Sequence, residues 1–234
     1  QTLEITKDRH WVGVLNTTLR AFDVVFQTRF GSTYNSYLIQ ADKPTLIDCV
    51  HEKFDREYLE KLRSLINLRD ICYIVVNHTE MDHTGALGLL LKETPNAQIL
   101  ATKTASLFLK IILHAEVKGK MVEDGECISL GNKQLKFIHA PYWHWPDTMF
   151  TYLEEEHMLF SCDGFATHFC DERLFDDLVD DFAEDFRYYF EHVMGPYRKK
   201  ILEAIEKIKK LDIRLIAPSH GPILRTDPWK YINA

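Results

Sequence analysis

His78, Glu80, Asp82 and His83 stand within the six residues His78-Thr79-Glu80-Met81-Asp82-His83. Imidazole nitrogen and carboxylate oxygen are the donors that hold zinc, iron and related ions. The apolar run Ile71-Cys72-Tyr73-Ile74-Val75-Val76 before them reads as a buried strand, and Thr84-Gly85-Ala86-Leu87 after them as the start of a helix. The donors therefore fall on the turn leaving the carboxyl end of a strand, where open α/β sheets place their sites. So short a turn cannot bring all of them comfortably to one tetrahedral ion. Shared between adjacent ions they can be used, so the spacing points to a two-metal centre.

Further donors complete the set. His144 opens His144-Trp145-Pro146-Asp147 a few residues after the strand-like Leu135–Ile138, Asp163 follows the apolar Met158–Cys162, and His220 follows Leu215-Ile216-Ala217. Each lies shortly past a strand, as expected if several strand ends converge on one site. The candidate ligands are thus His78, Glu80, Asp82, His83, His144, Asp163 and His220. Trp143 and Trp145 flank one of them and are expected to form a dry shell that limits solvent access. Asp48 and Tyr189 are further candidates to surround the ligands. The Phe186, Tyr188 and Tyr189 cluster reads as helix packing or as a wall over the site. A lone histidine is by default an ordinary polar residue, and His10, His51, His114, His139, His157 and His192 are read so. His168, near Asp163, could approach the site. Gly31-Ser32-Thr33 is followed by strand rather than helix, which argues against a phosphate loop.

The elements that must position these residues alternate in type. Short β-rich runs cover Trp11–Leu15, Phe22–Phe26, Tyr34–Ile39 and Thr45–Asp48, and an amphipathic helix spans Phe54–Ile66. After the metal turn come a helix over Gly85–Leu91, a strand at Gln98–Ala101 and a helix over Ala105–His114. Strands follow at Leu135–Ile138, Met149–Leu153 and Met158–Phe160. Asp171–Leu211 reads as helical, acidic to Asp185 and basic over Arg198–Lys210, and Arg214–Ala217 is a last strand. This order fits a four-layer αββα sandwich in a single domain over 1–234 better than a doubly wound sheet.

Composition bounds the function. Apolar residues make up 46% and charged residues 27%, ordinary for a globular protein, and the net charge of −7 argues against a nucleic-acid partner. No stretch approaches the ~18 apolar residues of a membrane span. Five scattered cysteines form neither a disulfide framework nor a zinc ribbon. A cytoplasmic location fits best.

The four segments H-x-E-x-D-H, H-W-P-D, C-D-G-F and S-H-G-P, in this order, resemble the metallo-β-lactamase-type domain of flavodiiron proteins, the di-iron oxygen and nitric oxide reductases. Gly31–Ile39 and Leu46-Ile47-Asp48 share in the similarity. The resemblance implies that His78, Glu80 and His144 bind one iron, that Asp82, His83 and His220 bind the other, and that Asp163 bridges them together with a water or hydroxide. Zinc hydrolases on this fold usually carry H-x-H-x-D-H. With Glu80 in the middle position the set becomes four imidazoles and three carboxylates, a harder and more anionic set that favours iron. The competing reading is a di-zinc hydrolase.

The sequence departs from the family in two ways. Many members carry a histidine in an F-H-G-Y segment, where this chain has Phe22-Asp23-Val24-Val25, so Asp23 would stand there as an anionic neighbour. Members also continue into a flavodoxin-like domain carrying FMN, and no FMN phosphate loop is visible in these residues. The expectation is therefore an oxygen-binding protein, akin to stand-alone oxygen sensors of bacterial chemotaxis with a receptor or kinase partner. The alternative is a reductase that draws electrons from an external donor such as a flavodoxin or rubredoxin. A homodimer is expected by resemblance.

Overall fold

The computed structural model describes residues 2–22 and 25–233. A seven-stranded sheet carries, in spatial order, Leu3–Thr6, Arg9–Trp11, Tyr37–Ile39, Thr45–Ile47, Tyr73–Val76, Gln98–Ala101 and Gly119–Met121. Its first four strands pair antiparallel and its later ones parallel. A five-stranded sheet carries Cys127–Ser129, Gln134–His139, Met149–Leu153, Met158–Cys162 and Leu215–Pro218, with only the last pair parallel.

Strand alternation builds the layers. Successive side chains point to opposite faces of a sheet, so one strand can feed two cores. In the first sheet Tyr37, Ile39, Ile47, Val75 and Leu100 join a core with Phe137, Met149, Met158, Phe160 and Ala217 of the second sheet. Their neighbours Leu38, Leu46, Ile74, Val76 and Ile99 turn the other way. They pack on Tyr58, Leu59 and Leu62 of the Asp55–Leu65 helix, Leu87 and Leu90 of Leu87–Glu93, and Ala105 and Leu109 of Lys103–Leu113. The outer face of the second sheet, with Ile138, Phe150, Leu159 and Ile216, packs on Tyr189, Ile201, Ala204 and Ile208. The result is helix, sheet, sheet, helix: the αββα sandwich expected from the order of elements.

Local chemistry sets the helix starts. Thr102 accepts a hydrogen bond from the Ala105 amide at 3.0 Å, capping Lys103–Leu113. Its hydroxyl also donates to the Asp147 carbonyl at 3.0 Å, tying that cap to the loop that carries His144.

Several boundaries differ from the sequence expectation. Trp11–Leu15 is not one strand: Arg9–Trp11 lies in the large sheet, whereas Val14–Asn16 pairs with Ser32–Tyr34 in a separate ribbon. The turn holding Asp82 and His83 is itself helical over Met81–Thr84, separate from Leu87–Glu93. The largest correction concerns Asp171–Leu211, whose helix starts only at Ala183. Upstream the carboxylates take backbone and guanidinium partners that compete with a helix. Asp176 accepts from the Arg225 and Thr226 amides, Asp177 pairs with Arg225, and Asp171 pairs with Arg173. Beyond Ala183 the chain runs as α-helix, π-helix over Phe190–Met194, a 3-10 turn over Gly195–Tyr197 and α-helix over Arg198–Ile208.

Candidate metal centre

The predicted donors converge where the two sheets meet. His78 leaves the Tyr73–Val76 strand, and Asp82 and His83 follow on the Met81–Thr84 helical turn with Glu80 just before it. That turn is docked by main-chain bonds, Cys49 amide to His83 carbonyl and Ala86 amide to Val50 carbonyl, both at 2.9 Å. Gly85 permits the approach, since a Cβ there would stand 2.4 Å from the Glu52 amide nitrogen. His144 sits on a loop held by the Thr148 hydroxyl, which donates to the Trp143 and Trp145 carbonyls. Asp163 follows Met158–Cys162 directly, and His220 lies two residues past Leu215–Pro218.

Two adjoining donor groups result, His78, Glu80, His144 and Asp163 in one and Asp82, His83 and His220 in the other, and His83, Cys162 and Asp163 form a third that overlaps both, with the donor atoms of each within 4.8 Å of one another. All four histidines present Nε2 to the cluster. Asp163 divides between the groups. Its Oδ1 faces His220 Nε2 at 3.3 Å, its Oδ2 faces His144 and His78 Nε2 at 3.1 and 3.6 Å, and His83 Nε2 lies between them, 3.2 Å from Oδ1 and 3.3 Å from Oδ2. Glu80 Oε2 lies 3.2 Å from His78 Nε2 and 3.3 Å from His144 Nε2. Asp82 lies 3.0 Å from His220 Nε2 and 3.3 Å from His83 Nε2.

Two of the rear nitrogens are anchored, whereas His83 Nδ1 is buried without a hydrogen-bond partner among the described residues. His220 Nδ1 donates to the Thr33 carbonyl at 2.6 Å, which leaves Nε2 to carry the lone pair of the neutral ring. His78 Nδ1 lies 3.2 Å from Asp147 Oδ1, and the other oxygen of Asp147 accepts from the Thr79 amide and hydroxyl at 2.8 and 2.7 Å. Ser219 donates to Asp163 Oδ1 at 2.8 Å. Gly221 adopts φ +75°, and a Cβ there would come within 2.6 Å of the Thr167 carbonyl oxygen. Positive φ recurs around the cluster at Asp48, Tyr142, His144, Cys162 and Phe165, the kind of local backbone strain that concentrates at functional sites.

Charge is tightly balanced in this pocket. Burial alone would raise the Asp163 carboxyl, but the His83 charge and hydrogen bonds from His144, His220 and His83 hold it well below the usual carboxylate range. Asp82 is lowered in the same way, against burial, by His83 and His220. Burial works against charge on the imidazoles, yet the Asp163 and Glu80 carboxylates push His144 up to about 9, and those of Asp163 and Asp82 push His220 up to about 10.

The surrounding residues divide. Trp145 packs edge-on against His78 at 5.1 Å between ring centroids, and Tyr189 stands 5.0 Å from His168 and 6.4 Å from His220. Trp143 is buried against Phe150 and Phe165 rather than on a ligand ring. Asp48 acts one step removed, accepting from the Asn77 amide and side chain at 2.8 and 2.9 Å just before His78. Asp23 lies outside the described residues. His168 reaches the site, its ring 5.0 Å from that of His220 and its Nδ1 2.8 Å from the Ser32 hydroxyl.

Sequence reasoning passed over three contributors. Asp147 was visible only as the end of His144-Trp145-Pro146-Asp147, although an aspartate soon after a candidate ligand is a signal for a supporting carboxylate. Thr33 contributes a main-chain carbonyl, which no side-chain pattern can show. His192, read as an ordinary polar residue, lines a cleft of about 260 Å³ with Glu80, Asp82, His144 and His220.

A four-layer αββα domain with paired clusters of histidine and carboxylate at one end of its sheets is a metallo-β-lactamase-type domain built for metal. Residues 33–221 match the ODP family beta lactamase, and the chain belongs to that family. Its relatives are flavodiiron proteins. It is 42% identical over 230 residues to the type A flavoprotein fprA of Rhodobacter capsulatus, covering 96% of this chain and 52% of the relative. The flavodiiron protein of Giardia intestinalis superposes with a TM-score of 0.96 at 33% identity, covering 100% of this chain and 58% of that one. The rubredoxin oxygen:oxidoreductase of Desulfovibrio gigas gives 0.96 at 28% identity, over 100% and 60%. The chain thus spans about half the length of the curated relatives it matches.

Proposed function

We propose that this domain holds a non-haem di-iron pair that binds dioxygen or nitric oxide. His78, Glu80 and His144 would hold one iron, Asp82, His83 and His220 the other, and Asp163 would bridge them. The observation that carries this reading is the place of Asp163 between the groups, with Oδ1 beside His220, Oδ2 beside His144 and His78, and His83 within reach of both.

The residues present fit the pair. Both Asp82 oxygens are buried and accept no well-aligned hydrogen bond, although His83 and His220 nitrogens stand within 3.3 Å. Lone pairs that crowd together without pointing at one another point at a common centre. Glu80 supplies a third carboxylate, which favours iron over zinc and disfavours the hydrolase reading. A ferrous pair bound here would supply two electrons to a diatomic ligand.

The chain's own groups orient and exclude. Asp147 and the Thr33 carbonyl fix His78 and His220 so that Nε2 faces inward. Phe22, Phe26, Trp145 and Tyr189 wall the cleft and limit water, while His192 stands at its rim. Electrons beyond the first pair must come from a donor such as a flavodoxin or rubredoxin. A homodimer belongs to the same reading by family resemblance, and a signalling partner would suit an oxygen sensor. Among the described residues no helix is long and apolar enough to cross a membrane.

Metal analysis of protein made in iron-replete cells tests the proposal. We expect close to a pair of irons per chain and a new ferric absorption band when the reduced protein meets oxygen. Stoichiometric zinc with little iron, or a reduced iron-loaded protein inert to both gases, would sink it.

A further inference from the structure

A second cavity, of about 830 Å³, lies behind the metal cluster. It is lined by residues of 176–205, by 230–233 and by the loops that carry Trp143 and Asp163. Its lining begins at buried residues beside the cluster, among them Trp143, Asp163 and Tyr189, passes Met194 and Ile201, and reaches the exposed Leu202 and Lys230. Asp163 and Tyr189 also line the smaller cleft in front, so the two spaces meet at the same residues. Their linings differ. The front cleft is walled by Glu80, Asp82, His144, His192 and His220, whereas the buried part of the rear cavity beside Asp163 is apolar, and Asp180, Asp181, Arg187, Arg198 and Lys230 line it where it opens to solvent.

Protein interiors rarely leave voids larger than a water molecule. An apolar space gives charged or strongly hydrated species no compensation for lost water. A neutral diatomic gas has almost no hydration to lose, and apolar cavities readily take up inert gases such as xenon. We propose that the rear cavity is the store and entry route for the neutral gas, dioxygen or nitric oxide, and that the front cleft serves ions and protons. This rests on the gas-binding reading above. It adds a path for the gas separate from the opening lined by the ligands.

The expected results are concrete. Protein pressurised with xenon should show the gas between Trp143 and Ile201, by crystallography or by xenon-129 NMR. Ile205→Trp and Val179→Trp, at half-buried lining positions, should fill the space. In both, reaction of the reduced iron-loaded protein with oxygen should slow several-fold, while azide, an anion, should bind at the parental rate. Far-ultraviolet circular dichroism and iron content identify any variant that misfolds, and the other then decides. Absence of xenon from the cavity overturns the route whatever the iron does. So do plugged, folded variants that react with oxygen at the parental rate, or that lose oxygen and azide equally. Xenon uptake by a parent protein whose reduced iron is inert to oxygen and nitric oxide would instead overturn the proposed function, and the cavity's role with it.

Discussion

The Asp147 carboxylate gathers His78 Nδ1, the Thr79 amide and the Thr79 hydroxyl, all buried. It thereby fixes both the ring orientation and the loop that carries the ligand. Loss of such a supporting carboxylate costs about 10–100-fold in metal affinity. Asp147→Asn should therefore weaken metal binding by that order in competition with a chelator, with the far-ultraviolet spectrum unchanged. Glu80 bears on a different property, the choice of metal. Glu80→His removes one of three carboxylates and creates the H-x-H-x-D-H pattern usual for zinc hydrolases of this fold. Protein of this variant made with both metals present should shift from iron toward zinc by elemental analysis. Both residues belong to a cluster whose donors were legible in the sequence, because ligand spacing on a turn is local. The supporting carbonyl of Thr33 was not, since every residue carries one and only the fold aims it at His220.

Among the elements, the Met81–Thr84 helical turn carries Asp82 and His83 and rests on the Cys49–Glu52 loop. Gly85 ends that turn where there is no room for a Cβ: the nearest atoms are the Glu52 amide nitrogen at 2.4 Å and the Met81 carbonyl oxygen at 2.6 Å, both main chain. Main-chain atoms cannot swing aside as a side chain can. Gly85→Ala should cost about 1–3 kcal/mol, read from the urea midpoint, and should also lower metal occupancy because the turn must shift. Element type followed continuous apolar runs where a strand is buried on both faces, as in Gln98–Ala101 and Met149–Leu153, which matched in full. It failed over 171–182, where the apolar residues suggested a helix but carboxylates bound to Arg173, Arg225 and Thr226 hold an irregular path. Those partners lie up to about fifty residues away in the chain, beyond any local pattern.

At the scale of the whole molecule, the cluster couples stability to pH in the metal-free protein. The buried imidazoles are raised, His144 to about 9 and His220 to about 10. Their contribution is complete below the ordinary imidazole value of about 6.5 and fades as pH rises through the folded values. Asp163 and Asp82 are lowered, so their contribution is complete above about pH 4 and fades as acid protonates them. The melting temperature of metal-free protein should therefore fall as pH rises from about 6.5 toward pH 10, and fall again below about pH 4. Metal needs the neutral imidazole, so loading near neutral pH should release protons and tighten as pH rises. Calorimetric titration in buffers of different ionisation enthalpy would count those protons. No proton release, or tighter binding in acid, would contradict the charge balance described here.

What the sequence determined by itself was the donor set and the layer order. Ligand type, spacing after strands and the alternation of apolar residues are local properties, and a four-layer sandwich is the arrangement that buries them. Tertiary structure alone decided how the donors divide. The place of Asp163 between two groups, the anchoring of His220 by Thr33 and the cavity beside Trp143 depend on segments distant in the chain, 187 residues in the case of Thr33 and His220, meeting at one sheet end. Periodicity assigns a residue to a face, but only the packing of two sheets and their helices sets which distant atoms share a point in space.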